Sequence, residues 1–280
     1  MSNKSLTLSL VIPVYNEQDY LKACLDAIKR QSEQPDEVIV VDNGCSDKTL
    51  LIAKRYGFVK IIKEPRRGVT FARSCGFNAA TGDIIGRIDA DSILPPHWVA
   101  QVKAGLRKPD AAATTGPVNY YDMPFAPTNY LFDHGMRRFI YRLAPKSPFL
   151  FGSNMAILGK FWQELSASLC SRQDIHEDID LAIHLRSKGH KIIYDKALLA
   201  GASGRRYNDR LADFGRYMWM YRRTYHIHGL HSPSVYAAMF MWSLGYVLMH
   251  PWLRLWYGLY ARRKRAASYH RWFVWPRRYQ

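Results

Sequence analysis

Ile84-Ile85-Gly86-Arg87-Ile88-Asp89-Ala90-Asp91 is a mostly apolar run that ends in two carboxylates one residue apart. The run reads as a buried strand, and Pro95-Pro96 stops it soon after the pair. In an extended segment residues i and i+2 point to the same side. Asp89 and Asp91 would therefore face one spot together at a strand end. Left alone they repel each other. A divalent cation removes that repulsion and can bridge onward to phosphate oxygens. The three-residue pattern by itself also describes a solvated turn, and a second copy stands at Asp178-Ile179-Asp180. The surroundings have to decide.

Residues 6–14 form a β-rich apolar run that reads as a first strand, with Pro13 near its end and Tyr15-Asn16-Glu17 after it. A helix follows, with Leu21, Leu25 and Ile28 on one face. Gln34-Pro35-Asp36 breaks it. Glu37-Val38-Ile39-Val40-Val41 is nearly continuous in apolar residues, as parallel strands covered on both faces tend to be. It ends at Asp42-Asn43-Gly44-Cys45-Ser46-Asp47, where Ser46 or Asp47 can cap a helix running to about Tyr56 and stopping at Gly57. Residues 59–62 make a short third strand. Arg67-Gly68 opens another helix that ends near Thr81-Gly82, and the strand before Asp89 follows. This rhythm predicts βαβ units and a parallel sheet. In open sheets of this kind ligands bind at the carboxyl ends of the strands. The Tyr15 turn, Asp42 and Asp89 all fall there, on one crevice. No Gly-X-Gly-X-X-Gly follows the first strand and there is no Walker lysine loop, which disfavours an ordinary dinucleotide-binding domain and a P-loop enzyme. Any phosphate handling must then come from a metal and cationic side chains.

At 280 residues and 48% apolar, the chain can hold one large α/β domain or a catalytic domain with an appendage. The net charge of +17 is unevenly placed. Residues 201–280 carry 14 Lys/Arg against 2 Asp/Glu, and six of the eight tryptophans. The four cysteines are scattered without metal-type spacing and read as reduced, which fits a cytosolic location. Met1-Ser2-Asn3-Lys4-Ser5 runs straight into a strand, with no apolar leader of signal type.

Six motifs in order now resemble those of family 2 glycosyltransferases of the GT-A fold. Val11-Ile12-Pro13-Val14-Tyr15-Asn16-Glu17 is similar to the opening motif, and the ten residues from Val40 to Thr49 to the second. Gly68 with Ala72-Arg73 and Ala79-Ala80-Thr81-Gly82-Asp83 is similar to the third. Asp89-Ala90-Asp91 takes the place of the metal-binding Asp-X-Asp. Gly152-Ser153-Asn154-Met155-Ala156 resembles the segment lining the acceptor side. Glu177-Asp178-Ile179-Asp180-Leu181 resembles the Glu-Asp motif that supplies the base. The resemblance implies that Pro13, Tyr15, Glu17 and Asp42 hold the nucleoside, with Asp42 against the base. It places Gly68 and Arg73 near the base or ribose, Asp89 by the ribose and diphosphate, and Asp91 on the metal. Asp178 would be the general base, oriented by Glu177. The family often has a second acid where Asn43 stands.

The chemistry needs both ends of this set. A leaving nucleoside diphosphate develops negative charge, which a divalent cation, Mn2+ or Mg2+, stabilises on Asp91 with Asp89 as partner. An attacking hydroxyl must lose a proton, and a positioned carboxylate contributes ~10²–10⁴-fold. Asp178 opens a helical pattern through Leu181 and Leu185, where the helix dipole is expected to keep it ionised and lower its basicity. One base and one metal suit direct displacement with inversion. Taken singly, Glu177 and Asp178 also read as first-turn acids, Asp42 as a cap and Arg73 as a surface cation. His226, His228 and His231 form a His-rich loop; His231 is the candidate third metal ligand, against a plain surface loop. Arg205 and Arg206 follow Ser203-Gly204 and can close over a diphosphate or form a basic turn.

Residues 235–249 are largely apolar, and as a helix span ~22 Å, short of the ~30 Å hydrocarbon core. Extension to residue 260 brings in His250, Pro251 and Arg254, and Arg262-Arg263-Lys264-Arg265 follows. Interleaved Trp, Tyr and basic residues fit helices lying in a membrane interface. Packed helices are the second reading. Nucleic acid is a distant third, with no nucleic-acid motif in the chain.

The whole predicts an α/β chain of GT-A type: a Rossmann-like, mostly parallel sheet flanked by helices, with a C-terminal helical membrane-associating segment. Residues 1–115 would bind the nucleotide sugar, 116–205 the acceptor and carry the base, and 206–280 form the basic aromatic extension. Residues 120–151 would wall the acceptor side. The expected activity is that of a metal-dependent inverting glycosyltransferase of hexosyltransferase type. It would move a sugar from a nucleotide diphosphate sugar, a UDP-sugar foremost, to a hydroxyl or lipid-linked acceptor in cell-envelope glycan or glycolipid synthesis. The expected place is the cytoplasm, peripheral on the anionic inner membrane face. Transfer to polyprenyl phosphate is a variant. A nucleotidyltransferase, releasing pyrophosphate, and a non-catalytic nucleotide-sugar or lipid binding protein are the other readings.

Overall fold

The computed structural model describes residues 5–123, 126–143, 148–231 and 233–259. Its centre is a seven-stranded sheet. The first four strands pair with one another in parallel: β1 (Leu8–Val14), β2 (Glu37–Asp42), β3 (Val59–Lys63) and β4 (Ile84–Arg87). The helices α1 (Leu21–Lys29), α2 (Thr49–Ala53) and α3 (Val69–Ala79) connect them. After α4 (Trp98–Leu106) come β5 (Ala111–Thr115), β6 (Val118–Tyr120) and α5 (Ala126–Leu143). Then follow β7 (Met155–Leu158), α6 (Gly159–Leu165), α7 (Glu177–Ser187), β8 (Lys191–Tyr194) and β9 (Ala200–Ala202). The sheet order is β3-β2-β1-β4-β7-β5-β8, and β7 runs antiparallel to both of its neighbours. The expected mostly parallel α/β plan is present.

Period-two alternation in β1 divides the core into two layers. Leu8, Leu10, Ile12 and Val14 pack with Leu21, Leu25, Ile28, Trp98 and Val102 on one face. Val11 packs with Ile39, Phe77, Met155, Trp162, Leu181 and Leu185 on the other. At ~1.5–3 kcal/mol for each large apolar side chain buried, these layers hold the strand ends in fixed relation.

Three features position the site. The segment after β4 turns sharply, with Ser92 N–H donating to the Asp89 carbonyl at 3.0 Å. An antiparallel bridge between Ile93 and Gly201 then ties this turn to the two-stranded pair β6–β9. The first turn of α7 brings Glu177, Asp178 and Asp180 alongside.

Two helices follow, α8 (Leu211–Ile227) and α9 (Pro233–Leu259). The segment expected to be short is one continuous helix through Pro251. Its inner face, with Val235, Ala238, Tyr246, Leu253 and Tyr257, is buried. Among the described residues no helix is long and apolar enough to cross a membrane. Arg262-Arg263-Lys264-Arg265 lies outside the described residues.

Candidate active site

A cleft of about 820 Å³ opens at the carboxyl ends of the parallel strands. Of the residues singled out from sequence, Pro13, Tyr15, Glu17, Gly68, Asp89, Asp91, Glu177, Asp178, Arg205 and Arg206 line it. Asp42, Arg73 and His231 do not. A larger hollow of about 990 Å³ lies elsewhere, around Lys108, Lys160, Phe161 and His190, and holds none of these acids.

Asp42 is buried, and its Oδ1 accepts from the Gly44 and Cys45 N–H groups at 3.0 and 2.8 Å. It shapes the loop rather than facing the cleft. The adjacent Asn43 donates to the Glu64 and Arg66 carbonyls and accepts from Gly68 N–H at 2.9 Å. That network fixes Gly68 at φ +130°, a conformation that favours glycine. Arg67 lies over the Tyr15 ring at 3.6 Å. Arg73 is not a surface cation. It is fully buried beneath the site, near the Trp162 and Phe77 rings, at 5.1 and 5.8 Å. His231 is exposed, with its Nδ1 3.3 Å from the Tyr236 hydroxyl and its ring beside His226.

Asp91 is nine-tenths buried, and its main-chain carbonyl accepts from the Tyr121 hydroxyl at 2.9 Å. Its side chain pairs with Arg205 Nε at 3.1 Å, while Arg205 also holds Glu17 by two bonds of 2.7 and 2.9 Å. Burial, opposed by Arg205 and reinforced by Asp89, Glu17 and Asp122, pushes the Asp91 carboxyl up to about 7. Asp89 is more open and faces Arg87 Nη2 at 3.2 Å.

Arg87 is the residue that sequence reading missed. It stands inside β4, buried, and pairs with the buried Glu177 at 2.8 Å. Burial alone would raise Glu177, but Arg87 and Arg73 outweigh it and hold that carboxyl below its ordinary range. The signal was present: an arginine within an apolar strand must find a buried anion. Gly152 sits directly against this guanidinium; a Cβ there would meet Arg87 Nη1 at 1.9 Å. Its N–H donates to Asp178 Oδ2 at 2.7 Å, and Ile179 N–H donates to Oδ1 at 2.8 Å. Burial and the Glu177 carboxylate push Asp178 up to about 7, against the pull of Arg87. The helix dipole was expected to lower its basicity. Here burial and a like charge win, because the dipole's contribution at a terminus is only ~0.3–1 kcal/mol. His176 lines the cleft beside Tyr217 and Tyr221, and burial brings its imidazole down to about 4.

A mostly parallel sheet with acids at its strand ends and an acidic helical turn closing one cleft is the GT-A arrangement of nucleotide-sugar enzymes. The glycosyl transferase family 2 model matches residues 9–164, more than half of the chain, and the chain belongs to that family. Glycosyltransferase GlyG of Streptococcus pneumoniae is 28% identical over 130 residues, covering 45% of this chain and 42% of that one. Glycosyltransferase AglE of Haloferax volcanii is 32% identical over 99 residues, covering 33% of each. The matched segments span less than half the length of these relatives. Among solved structures, the mannosyltransferase PcManGT of Pyrobaculum calidifontis, in complex with GDP-Man and Mn2+, has a TM-score of 0.62. It is 20% identical, and the match covers 95% of this chain and 74% of that one. TarS of S. aureus with UDP-GlcNAc gives a TM-score of 0.54 at 17% identity, covering 71% and 58%. At such identity these two show the fold alone.

Proposed function

We propose that this protein is an inverting glycosyltransferase that moves a sugar from a nucleotide diphosphate sugar to an acceptor hydroxyl. One observation carries the reading: a single cleft places the Asp89–Asp91 strand end, the arginines 205 and 206, and the oriented carboxylate of Asp178 around one space. Arg205 and Arg206 supply cationic, bidentate donors of the kind that recognise diphosphates. Asp178 takes the proton of the acceptor hydroxyl as it attacks. The Gly152 and Ile179 N–H groups hold its oxygens in place. A base with a pKa of about 7 is matched to proton transfer near neutral pH. Glu177, locked to Arg87, keeps that carboxylate basic. With one base and no second nucleophile required, attack proceeds directly with inversion.

The strand-end donors fit a hard cation. They are all oxygens, and Asp91 is crowded by Asp89, Glu17 and Asp122. Asp89 and Asp91 would hold Mn2+ or Mg2+, as suits oxygen donors; His231, away from the cleft, would not. Such an ion, when bound, supplies Lewis-acid stabilisation of the charge that develops on the leaving diphosphate. UDP-sugars and GDP-sugars are the donors to test first, given what the PcManGT and TarS structures hold.

The test is Asp178→Asn. Transfer should be lost while binding of UDP or GDP stays nearly intact. Full transfer activity in that variant would remove Asp178 from the mechanism.

The acceptor side belongs at a membrane surface in this reading. The outer face of α9 presents Phe240, Leu244, Val247, Leu248, Trp252 and Leu255, spaced for one exposed stripe. Residues 260–280, next in the sequence, hold seven Lys/Arg and no acid. Apolar stripe and basic run together match an anionic lipid surface, on which a lipid-linked acceptor, polyprenyl phosphate included, would be presented. A cytoplasmic location, peripheral on the inner membrane face, follows from the same reading. So does a division of labour among residues 1–115, 116–205 and 206–280.

A further inference from the structure

Away from the cleft, three elements bring a thiol, a carboxylate and an imidazole to one point. Cys170 lies in the segment between α6 and α7, Asp180 in the first turn of α7, and His228 at the C-terminal cap of α8. The Cys170 sulfur, one Asp180 oxygen and one His228 nitrogen all lie within 4.8 Å of one another. His228 Nε2 is 2.8 Å from Asp180 Oδ1 and 3.9 Å from Cys170 Sγ. Donors around a tetrahedral zinc ion, at ~2.0–2.3 Å from the metal, stand ~3.3–3.7 Å apart. The observed spacings bracket that range, so small side-chain shifts would seat an ion.

We propose that Cys170, Asp180 and His228 form a binding site for Zn2+ or a related borderline cation, which clamps α7 to α8. The donor set is the reason for the class. Sulfur, imidazole nitrogen and one carboxylate select zinc over the hard cations that suit an all-oxygen site. The supporting shell is already built. Asp180 is fully buried; its Oδ2 accepts from Cys170 N–H at 3.1 Å, and its Oδ1 now accepts from His228 Nε2, a contact the ion would take the place of. His184, one turn along α7, stands with its ring 5.0 Å from that of His228 and its Nδ1 3.6 Å from Asp180 Oδ1. That Nδ1 donates to the Asp180 main-chain carbonyl at 2.9 Å, so a water is left to complete four-coordination. Cys170 and His228 are only partly buried, which gives the ion a way in. Burial and Asp180 push the thiol up to about 11, so it is no nucleophile at neutral pH. Binding the ion would release the thiol proton to solvent, and the His228 Nε2 proton that now faces Asp180 Oδ1 would give way to the ion, leaving the ring protonated on Nδ1.

The consequence is mechanical. The clamp fixes the helix that carries Asp178 against α8, whose Tyr217 and Tyr221 wall the cleft. It does not depend on the proposed transfer reaction, and its test does not use activity.

The experiment is cobalt loading of the whole chain, read by absorption. Wild-type protein should take up Co2+ with the intense near-ultraviolet band of a thiolate ligand, and Zn2+ should displace it. Cys170→Ser should lose that band, and His228→Ala should bind at least ~10-fold more weakly. Asp91→Asn should leave the band unchanged, which separates this site from the strand-end carboxylates. Removal of zinc by a chelator should lower the melting temperature of wild type and not that of Cys170→Ser. Wild-type protein that gives no thiolate band, or a band that survives Cys170→Ser, overturns the proposal. The first of these needs no variant to fold.

Discussion

The outer face of α9 gives the most quantitative prediction. Trp252, Leu248 and Leu244 are 69%, 64% and 47% exposed. Moving a large apolar side chain fully out of water contributes ~1.5–3 kcal/mol. Scaled by those exposures, each of the three contributes roughly 1–2 kcal/mol on entering lipid. The variant Leu244→Ser/Leu248→Ser/Trp252→Ser should thus lose ~3–6 kcal/mol of membrane affinity, at least ~100-fold in partitioning. The inner face of the helix is untouched by these changes, so the fold should survive, as circular dichroism would show. The assay is cosedimentation of the full chain with vesicles of phosphatidylglycerol and phosphatidylcholine. Salt separates the two contributions. Each cation near an anionic surface contributes ~1 kcal/mol, and raising ionic strength from 0.1 to 1 M shortens the screening length from ~10 to ~3 Å. Wild type in high salt should keep a residual binding that the triple variant lacks. If the triple variant binds as wild type does in low and high salt alike, the stripe does not meet lipid and the reasoning fails.

Other outcomes follow from the cleft. Arg205→Met removes the cation shared by Glu17 and Asp91. Calorimetry should show UDP or GDP binding weakened ~10-fold or more, since charge-assisted bonds contribute ~1.5–3 kcal/mol; unchanged affinity would exclude Arg205 from the diphosphate. Gly152→Ala drives a methyl into Arg87, at 1.9 Å from Nη1. Overpacking of this kind costs ~1–3 kcal/mol, so the chemical denaturation midpoint should fall, and an unshifted midpoint would mean that the guanidinium moves aside freely. The Asp178 carboxyl, pushed up to about 7, must be ionised to act as the base. The rate, kcat/KM, should therefore fall as pH drops below about 7, and a rate that stays flat to pH ~5 would separate the base from this carboxyl.

The first half of the fold was legible because parallel strands covered on both faces are written as unbroken apolar runs. Val38 to Val41 shows nothing else, and a helix of matching period stands on either side. The insertion of β7 between β4 and β5 was not legible. Strand order depends on which edges meet in space, and the four residues Met155–Leu158 carry no mark of their partner. That Asp89, Asp91 and Asp178 share one cleft was legible, because these acids stand at element ends. That Asp42 and Arg73 turn into the scaffold and not into the cleft was not legible, since the motifs do not give a side chain's direction. The low basicity expected of Asp178 was reversed. A helix start is visible in sequence, whereas burial beside Glu177 is a property of the folded packing.

The two arginines of the cleft, Arg87 and Arg205, show why such packing matters. Both are paired with acids, yet they differ in what they can exchange. Arg87 is 4% exposed, its partner Glu177 is 7% exposed, and Gly152 is pressed against the guanidinium. Breaking that pair would leave a buried charge, a cost of ~3–5 kcal/mol. It is therefore a fixed part of the scaffold, and it sets the field in which Asp178 titrates. The Arg205 side chain is 41% exposed and reaches the site from a short turn after β9. It can leave Asp91 for a phosphate oxygen, trading one charge-assisted bond for another at little net cost. That exchange would free an Asp91 oxygen as the diphosphate arrives. The same pair explains how a crowded acid cluster is tolerated: the Arg205 guanidinium bridges Glu17 and Asp91 and offsets their mutual repulsion.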